Sequence, residues 1–195
     1  MNLYFFRHGE TEWNRQKRFQ GSSDIPLNEA GREQALELKK KFSDIPIEYV
    51  LSSDLKRARQ TAELIFESRD VPIEFSPSLR EAHLGNVEGL YRHEFDEKYG
   101  QNFWEIWKAV KEEYLDFRFP EGESPREHLN RIKGFIEHWS RENQYQNVAL
   151  SCHGGVIWRM IHFCEKNPLL PPTIPNCGLF LLSYRDGIWR FQKQI

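Results

Sequence analysis

Short β-rich apolar runs alternate along this chain with longer segments whose apolar residues recur every three to four positions. That is the pattern of an α/β domain with a mostly parallel sheet. Leu3-Tyr4-Phe5-Phe6 reads as the first strand and stops abruptly at Arg7-His8-Gly9. Asn28 has an N-cap side chain, and Ala35, Leu38 and Phe42 place one apolar face on a helix ending near Phe42. Ile47 to Leu51 predicts a second strand. Asp54 is then expected to cap a helix with Leu55, Ala58, Ala62, Ile65 and Phe66 on its apolar face, ahead of the short segment Val71-Pro72-Ile73. Further on, Ser124-Pro125-Arg126-Glu127 is a capping box with proline at the first helical position, and Leu129, Ile132, Ile136 and Trp139 follow at helical spacing. Val148-Ala149-Leu150 predicts a buried strand that runs through Ser151-Cys152-His153-Gly154-Gly155 into a buried helix over Val156 to Cys164. Leu179 to Tyr184 and Ile188 to Phe191, joined by Arg185-Asp186-Gly187, predict a hairpin at the sheet edge.

Between Leu90 and Pro120 this rhythm gives way to a stretch dense in rings and charge, including Phe95, Tyr99, Trp104, Trp107, Phe117 and Phe119. It predicts a helical cap inserted around residues 90–120, with most rings fastening the cap to the body and a few facing a pocket, where a ring could stack. The chain carries no internal repeat and no Pro/Gly-rich linker, so a single domain over 1–195 is expected.

Composition narrows the class. The 195 residues hold 27 Lys+Arg against 29 Asp+Glu, a net charge of −2, with 39% hydrophobic and 29% charged residues. This is a soluble globular composition without the basic field of a nucleic-acid binder. Three cysteines, Cys152, Cys164 and Cys177, are too few and too irregularly spaced for a disulfide framework or a C-x-x-C site, and fit a reducing compartment. The amino terminus turns charged at Arg7, too early for a signal peptide, and no apolar run approaches the roughly 18 residues of a membrane span. A cytoplasmic protein, with neither nucleic acid nor membrane as partner, is expected.

The chemistry concentrates where two histidines each follow a short strand and precede glycine, in Phe6-Arg7-His8-Gly9 and Leu150-Ser151-Cys152-His153-Gly154-Gly155. In open α/β sheets ligands bind beyond the carboxyl ends of the strands, so both histidines should meet in one crevice. The glycines admit close backbone approach, and the helix after Gly155 aims free N–H groups at an anion. Ser52 to Thr61 also follows a strand and carries Lys56, Arg57 and Arg59. A guanidinium holds phosphate through parallel hydrogen bonds, which suits Arg7 and Arg57, while Lys56 and Arg59 read better as a solvated helix face. His93, His128, His138 and His162 fall on predicted helices without metal-ligand spacing, and no metal is expected.

Taken together, these blocks resemble the histidine phosphatase superfamily, also called phosphoglycerate mutase-like, branch 1, and its short phosphatase members most. The residues that carry the resemblance are Arg7-His8-Gly9-Glu10-Thr11, then Asn14, Gln20-Gly21, Ser52 to Thr61, Leu79-Arg80-Glu81 with Gly85 and Glu88-Gly89, and Ser151 to Gly155. The resemblance implies a three-layer α/β/α sandwich whose mostly parallel central sheet has an antiparallel edge. It implies that His8 takes the phosphoryl group, that Arg7, Arg57 and His153 clamp it, and that Glu81 is the proton donor. By spacing alone Glu81 would simply be exposed; after it, Glu88 and His83 are next in line for the acid role. Asn14, Gln20, Gly21 and Gly154 are implied as substrate contacts. Two departures are Val87, where many relatives carry Trp, and Cys152 before His153, which is expected to be buried and inert. The implied activity is a metal- and cofactor-independent phosphomonoesterase acting on a small phosphorylated metabolite, with α-ribazole phosphate, phosphoserine, phosphosugars and phosphoglycerates as candidates. A phosphoglycerate mutase and a non-catalytic phospho-ligand binding protein are the alternatives, and a homodimer is suggested by analogy with relatives.

Overall fold

The computed structural model describes residues 1–108, 111–165 and 173–195. Its centre is a sheet of six strands: β1 (Asn2–Arg7), β2 (Tyr49–Ser53), β3 (Ile73–Ser76), β4 (Asn147–Cys152), β5 (Leu179–Arg185) and β6 (Ile188–Gln194). The spatial order is β3-β2-β4-β1-β5-β6. β3, β2, β4 and β1 run parallel, and the β5–β6 hairpin adds the antiparallel edge. The hairpin turns at Asp186 and Gly187, both with positive φ, as a tight turn between twisted strands requires.

Side chains alternate across the pleat, and each face of the sheet is covered by helices. Leu3, Phe5, Leu51, Val148 and Leu150 pack on one side against α6 (Pro125–Glu142) and α7 (Gly154–Cys164). Phe6, Val50, Ala149 and Leu179 pack on the other against α2 (Glu29–Phe42) and α3 (Lys56–Phe66). This is the expected three-layer sandwich. Two of the three predicted caps, Asn28 and Ser124, are in place. Asn28 Oδ1 accepts from Gly31 N at 2.8 Å, and Ser124 and Glu127 exchange side-chain to backbone bonds at 3.2 and 2.9 Å.

Two local expectations are corrected. The second strand lies two residues later than predicted, because Ile47 is buried in the turn before it while Ser52 and Ser53, polar but fully buried, continue the ladder. Asp54 does not cap α3. Its carboxylate is gripped by the Arg80 guanidinium at 2.7 and 2.5 Å, a charged, two-pronged bond that outcompetes a cap. The start of α3 is capped from a distance instead, with Lys56 N donating to Asp24 Oδ1 at 2.7 Å.

The cap contains α4 (Arg92–Tyr99), α5 (Asn102–Lys108) and a 3-10 turn at Glu112–Tyr114; positions 109 and 110, inside the predicted insertion, lie outside the described residues. Phe95, Trp107 and Phe119 join Ala82, Leu84 and Val87 in a core of the cap's own, so Val87 serves packing.

What positions the loop that carries His8 is a contact between backbones. A methyl group on Gly9 would lie 2.2 Å from Gly31 O, and one on Gly31 would lie 2.1 Å from Glu10 O. Neither neighbour is a flexible side chain, so the first turn of α2 rests directly on the chain leaving His8. Gly31→Ala is expected to cost about 1–3 kcal/mol of stability, the range for overpacking. Urea unfolding alongside turnover checks this, and both should fall, since the loop and the helix cannot separate without moving His8.

Candidate active site

β1 and β4 pair in register, Phe5 opposite Leu150 and Arg7 opposite Cys152, and the ladder continues as His8 N donates to Cys152 O at 3.0 Å. This register brings the two strand-end histidines together, with ring centroids 5.3 Å apart. The buried His8 ring has its Nδ1 2.6 Å from Gly9 O. A carbonyl can only accept, so Nδ1 carries the proton and Nε2 keeps its lone pair. Burial first, then the positive charges of Arg57 and Arg7, hold the His8 pKa well below its ordinary value, so the ring is neutral.

Arg57 lies in the first turn of α3 and is 1% exposed. Its guanidinium donates to Ser23 O (2.5 Å), Gly21 O (2.7 Å) and His153 Nδ1 (3.2 Å). Arg7 donates through Nη1 to Ile174 O at 2.8 Å, while its Nε is buried without a hydrogen bond among the described residues. Neither guanidinium forms an ion pair among the described residues. Burial lowers the pKa of both, that of Arg57 to about 10, with the Glu81 charge the largest opposing pull. Two such cations side by side, held only by neutral acceptors, are matched to a small anion with several oxygens.

His153 is brought beside His8 but sits one layer behind the cleft. Its Nδ1 accepts from Arg57, so Nε2 carries the hydrogen and donates to Ser53 Oγ at 2.8 Å. Burial, then the charge of Arg57, depresses its pKa strongly.

Glu81 follows the 3-10 turn Pro77–Leu79 and lies on the first turn of α7, where the helix dipole favours negative charge. Its Oε2 accepts from Gly155 N at 2.7 Å and its Oε1 from Ala82 N at 3.0 Å. A methyl group on Gly155 would lie 2.2 Å from Oε1, so only glycine admits the carboxylate there. The other implied contacts converge as well. Asn14 Oδ1 accepts from Thr11 N, Gln20 Oε1 from Thr11 Oγ1, Gly21 turns at φ 51° to direct its carbonyl to Arg57, and Gly154 packs beside the Arg7 guanidinium.

These groups floor a cleft of about 560 Å³. Its walls are Phe19, Leu84, Trp104, Trp107, Trp158 and Ile174, with Arg18 and Lys108 at the rim. Trp107 and Trp158 donate their indole N–H groups to Glu123 O and Lys108 O, leaving ring surface toward the cleft. Arg18 stacks 4.0 Å from the centre of the Tyr91 ring and donates to the Tyr91 hydroxyl, and Lys108 pairs with Glu105.

The candidates for reserve acid are placed elsewhere. Glu88 accepts from Ser22 N, Leu84 N, Ser22 Oγ and Ser23 Oγ; burial works to raise its pKa, yet these bonds hold it below the ordinary carboxylate value. His83 turns into a separate shallow groove, 3.1 Å from Glu88. Lys56 and Arg59 are surface partners of Asp24 and Glu63, and the Cys152 thiol is buried with its pKa raised by that burial. Sequence reasoning missed Asn176, whose Nδ2 donates to His8 O (3.0 Å) and Asn14 Oδ1 (3.3 Å), and His128, which lies 3.7 Å from Glu81. Neither carries a local signal. Asn176 stands in a segment without periodicity, and His128 reads as one more position on a helix.

Comparison with known proteins bears on this arrangement. The family model of the histidine phosphatase superfamily (branch 1) matches residues 3–194. The chain belongs to that superfamily. Histidine phosphatase superfamily members and the phosphatase among the structural neighbours are enzymes, and so is this protein. It is 30% identical over 192 residues, 97% of this chain and 87% of the relative, to a probable phosphoglycerate mutase of Escherichia coli. Among solved structures it is similar to YhfR of Bacillus stearothermophilus, with a TM-score of 0.87, 28% identity and coverage of 97% and 94% of the two chains. The mycobacterial glucosyl-3-phosphoglycerate phosphatase, solved with VO3, is equally similar in fold, with a TM-score of 0.87, 27% identity and coverage of 98% and 96%.

The buried rings give this histidine phosphatase a pH signature. His8, His128 and His153 all have pKa values well below 6.5 in the fold, so below pH 6.5 the unfolded chain binds more protons than the native one. Stability is therefore expected to fall as pH drops through that value, by about 1.4 kcal/mol per pH unit for each histidine and up to about 4 for the three. Urea midpoints at pH 7.5 and 5.5 measure it; equal stabilities would contradict the neutral assignment.

Proposed function

We propose that this enzyme is a phosphomonoesterase that passes the phosphoryl group of a small metabolite through His8 to water. The observation that carries the reading is the neutral His8, its Nε2 lone pair free, beside the buried Arg57 and the half-buried Arg7, which have no carboxylate partner among the described residues. In the first step Nε2 attacks phosphorus, the bond to the ester oxygen breaks, and the carboxyl proton of Glu81 goes to the leaving alcohol. In the second, Glu81 takes a proton from water, whose oxygen attacks phosphorus; the P–N bond breaks and the electron pair returns to Nε2. Arg7 and Arg57 neutralise the equatorial oxygens. His153, whose Nδ1 accepts from the Arg57 Nε–H, positions Arg57 for this contact. Asn14, Gln20, Gly21 and Gly154 complete the cradle. The scheme uses no metal or cofactor, and a reducing cytoplasm suits the three free thiols.

The wall beyond the phosphate clamp favours hydrolysis over mutase chemistry. A phosphoglycerate brings a second anionic group, which needs a cation of its own. The cations at the rim, Arg18 and Lys108, already have partners, and the surface between is ring and aliphatic carbon. An ester whose alcohol carries a ring, as α-ribazole phosphate does, meets that surface better than a phosphoglycerate, the chemistry for which two relatives are named.

The test mixes the enzyme, with chelator, with 4-nitrophenyl phosphate, ring-bearing and sugar phosphates and 3-phosphoglycerate. Free phosphate and acid-labile, base-stable phosphoprotein are both followed. His8→Ala is expected to abolish both signals, and Glu81→Gln to slow turnover by roughly 10²–10⁴-fold. The ring-bearing esters should show the higher kcat/KM; equal values would remove the ring preference. A phosphoprotein that discharges only to a second phosphoglycerate would make the enzyme a mutase, and neither signal would move the reading to a binding protein.

A further inference from the structure

His128 is the unexplained group beside this site. It lies in the first turns of α6 with no exposed surface, and neither ring nitrogen makes a hydrogen bond of ordinary geometry among the described residues. A buried polar side chain without partners carries a desolvation cost that an apolar residue of the same bulk would avoid. Its Nε2 stands 3.7 Å from Glu81 Oε1, about 1 Å beyond a hydrogen bond. Among the described residues Glu81 meanwhile has two fixed donors, the N–H groups of Gly155 and Ala82.

The groups that face the ring fix its charge. Arg131 comes from its own helix, Arg159 and the nearby His153 from α7 and its N-cap, and the Arg80 carbonyl from the loop before Glu81. Burial, then Arg131 and Arg159, depresses the pKa strongly, against a smaller opposing pull from the Arg80 carbonyl. The ring is a neutral donor and acceptor rather than a cation.

We propose that His128 is a positioning residue for Glu81, its neutral Nε2–H donating to the carboxylate that forms once Glu81 has given its proton to the leaving oxygen. His128 neither gains nor loses a proton; when water returns a proton to Glu81 the bond weakens again. This inference rests on Glu81 being the acid of the reaction proposed above. It gives the acid a third donor that is needed only in one protonation state, which accounts for a donor that stands slightly out of reach.

Leaving-group dependence separates this role from a structural one. Phosphoenzyme formation is followed in single turnover with 4-nitrophenyl phosphate, whose leaving group needs no proton, and with an alkyl phosphate, whose leaving group does. His128→Leu is expected to slow the alkyl ester about 10–100-fold, the range for a hydrogen bond to a charged group, and to leave the nitrophenyl ester nearly unchanged. His128→Gln, whose amide N–H reaches the same way, should recover most of the loss. His128→Phe, with melting curves for all variants, keeps the test open if the leucine variant does not fold. Equal slowing of both esters, or slowing of neither, overturns the proposal. Glu81→Gln runs beside it. If that variant discriminates between the esters and His128→Leu does not, only the role of His128 fails; if it does not discriminate, the acid assignment fails and takes this one with it.

Discussion

A guanidinium sealed from water has to be met by acceptors on every side, and the burial of Arg57 organises the rest of this site. Transfer of such a charge into the interior costs several kcal/mol unless it is compensated. Here the acceptors are two carbonyls of the loop at Gly21 and Ser23 and one ring nitrogen of His153. They accept one hydrogen from each of its three nitrogens and leave its charge in place. Burial, and after it the charge of Arg57, holds the pKa of both histidines down, and the same charge suits an anion in the cleft.

The sheet makes this arrangement possible by bringing three strand ends to one level. β1, β4 and β2 are parallel neighbours, so residues that follow them, His8, His153 and Arg57, emerge at the same edge although they are far apart in sequence. The strands hold their polar ends inside through short serine bonds, Ser52 Oγ to Ser53 O and Ser151 Oγ to Ala58 O. Those bonds let the ladder continue to the point where the chemistry begins.

Much of this was legible in the chain because its signals are local. The caps at Asn28 and Ser124, the hairpin at Asp186-Gly187 and the strand-histidine-glycine runs all depend on residues within a few positions of one another. The errors fall where a distant partner decides. Asp54 has the side chain of a cap, but Arg80 takes it. His153 was expected in the crevice, yet its nitrogens are occupied by Ser53 and Arg57, residues about a hundred positions away. His128 and Asn176 gain meaning only beside Glu81 and His8, and no spacing rule reaches that far. The aromatic insertion divides in the same way. Phe95 and Phe119 close a core, whereas Trp104 and Trp107 also border the cleft, a distinction set by folding and not by residue type.

Glu88 adds a mechanical linkage to this chemistry. Its carboxylate joins Ser22 and Ser23, which flank the carbonyls that hold Arg57, to Leu84, which belongs to the core of the cap. Gly21 fits against that carboxylate only because it lacks a side chain. One carboxylate thus ties the cap to the loop whose carbonyls hold Arg57. If the reading proposed above holds, selectivity and turnover are not independent dials: a change in the cap that admits a new alcohol also bears on the loop that seats Arg57.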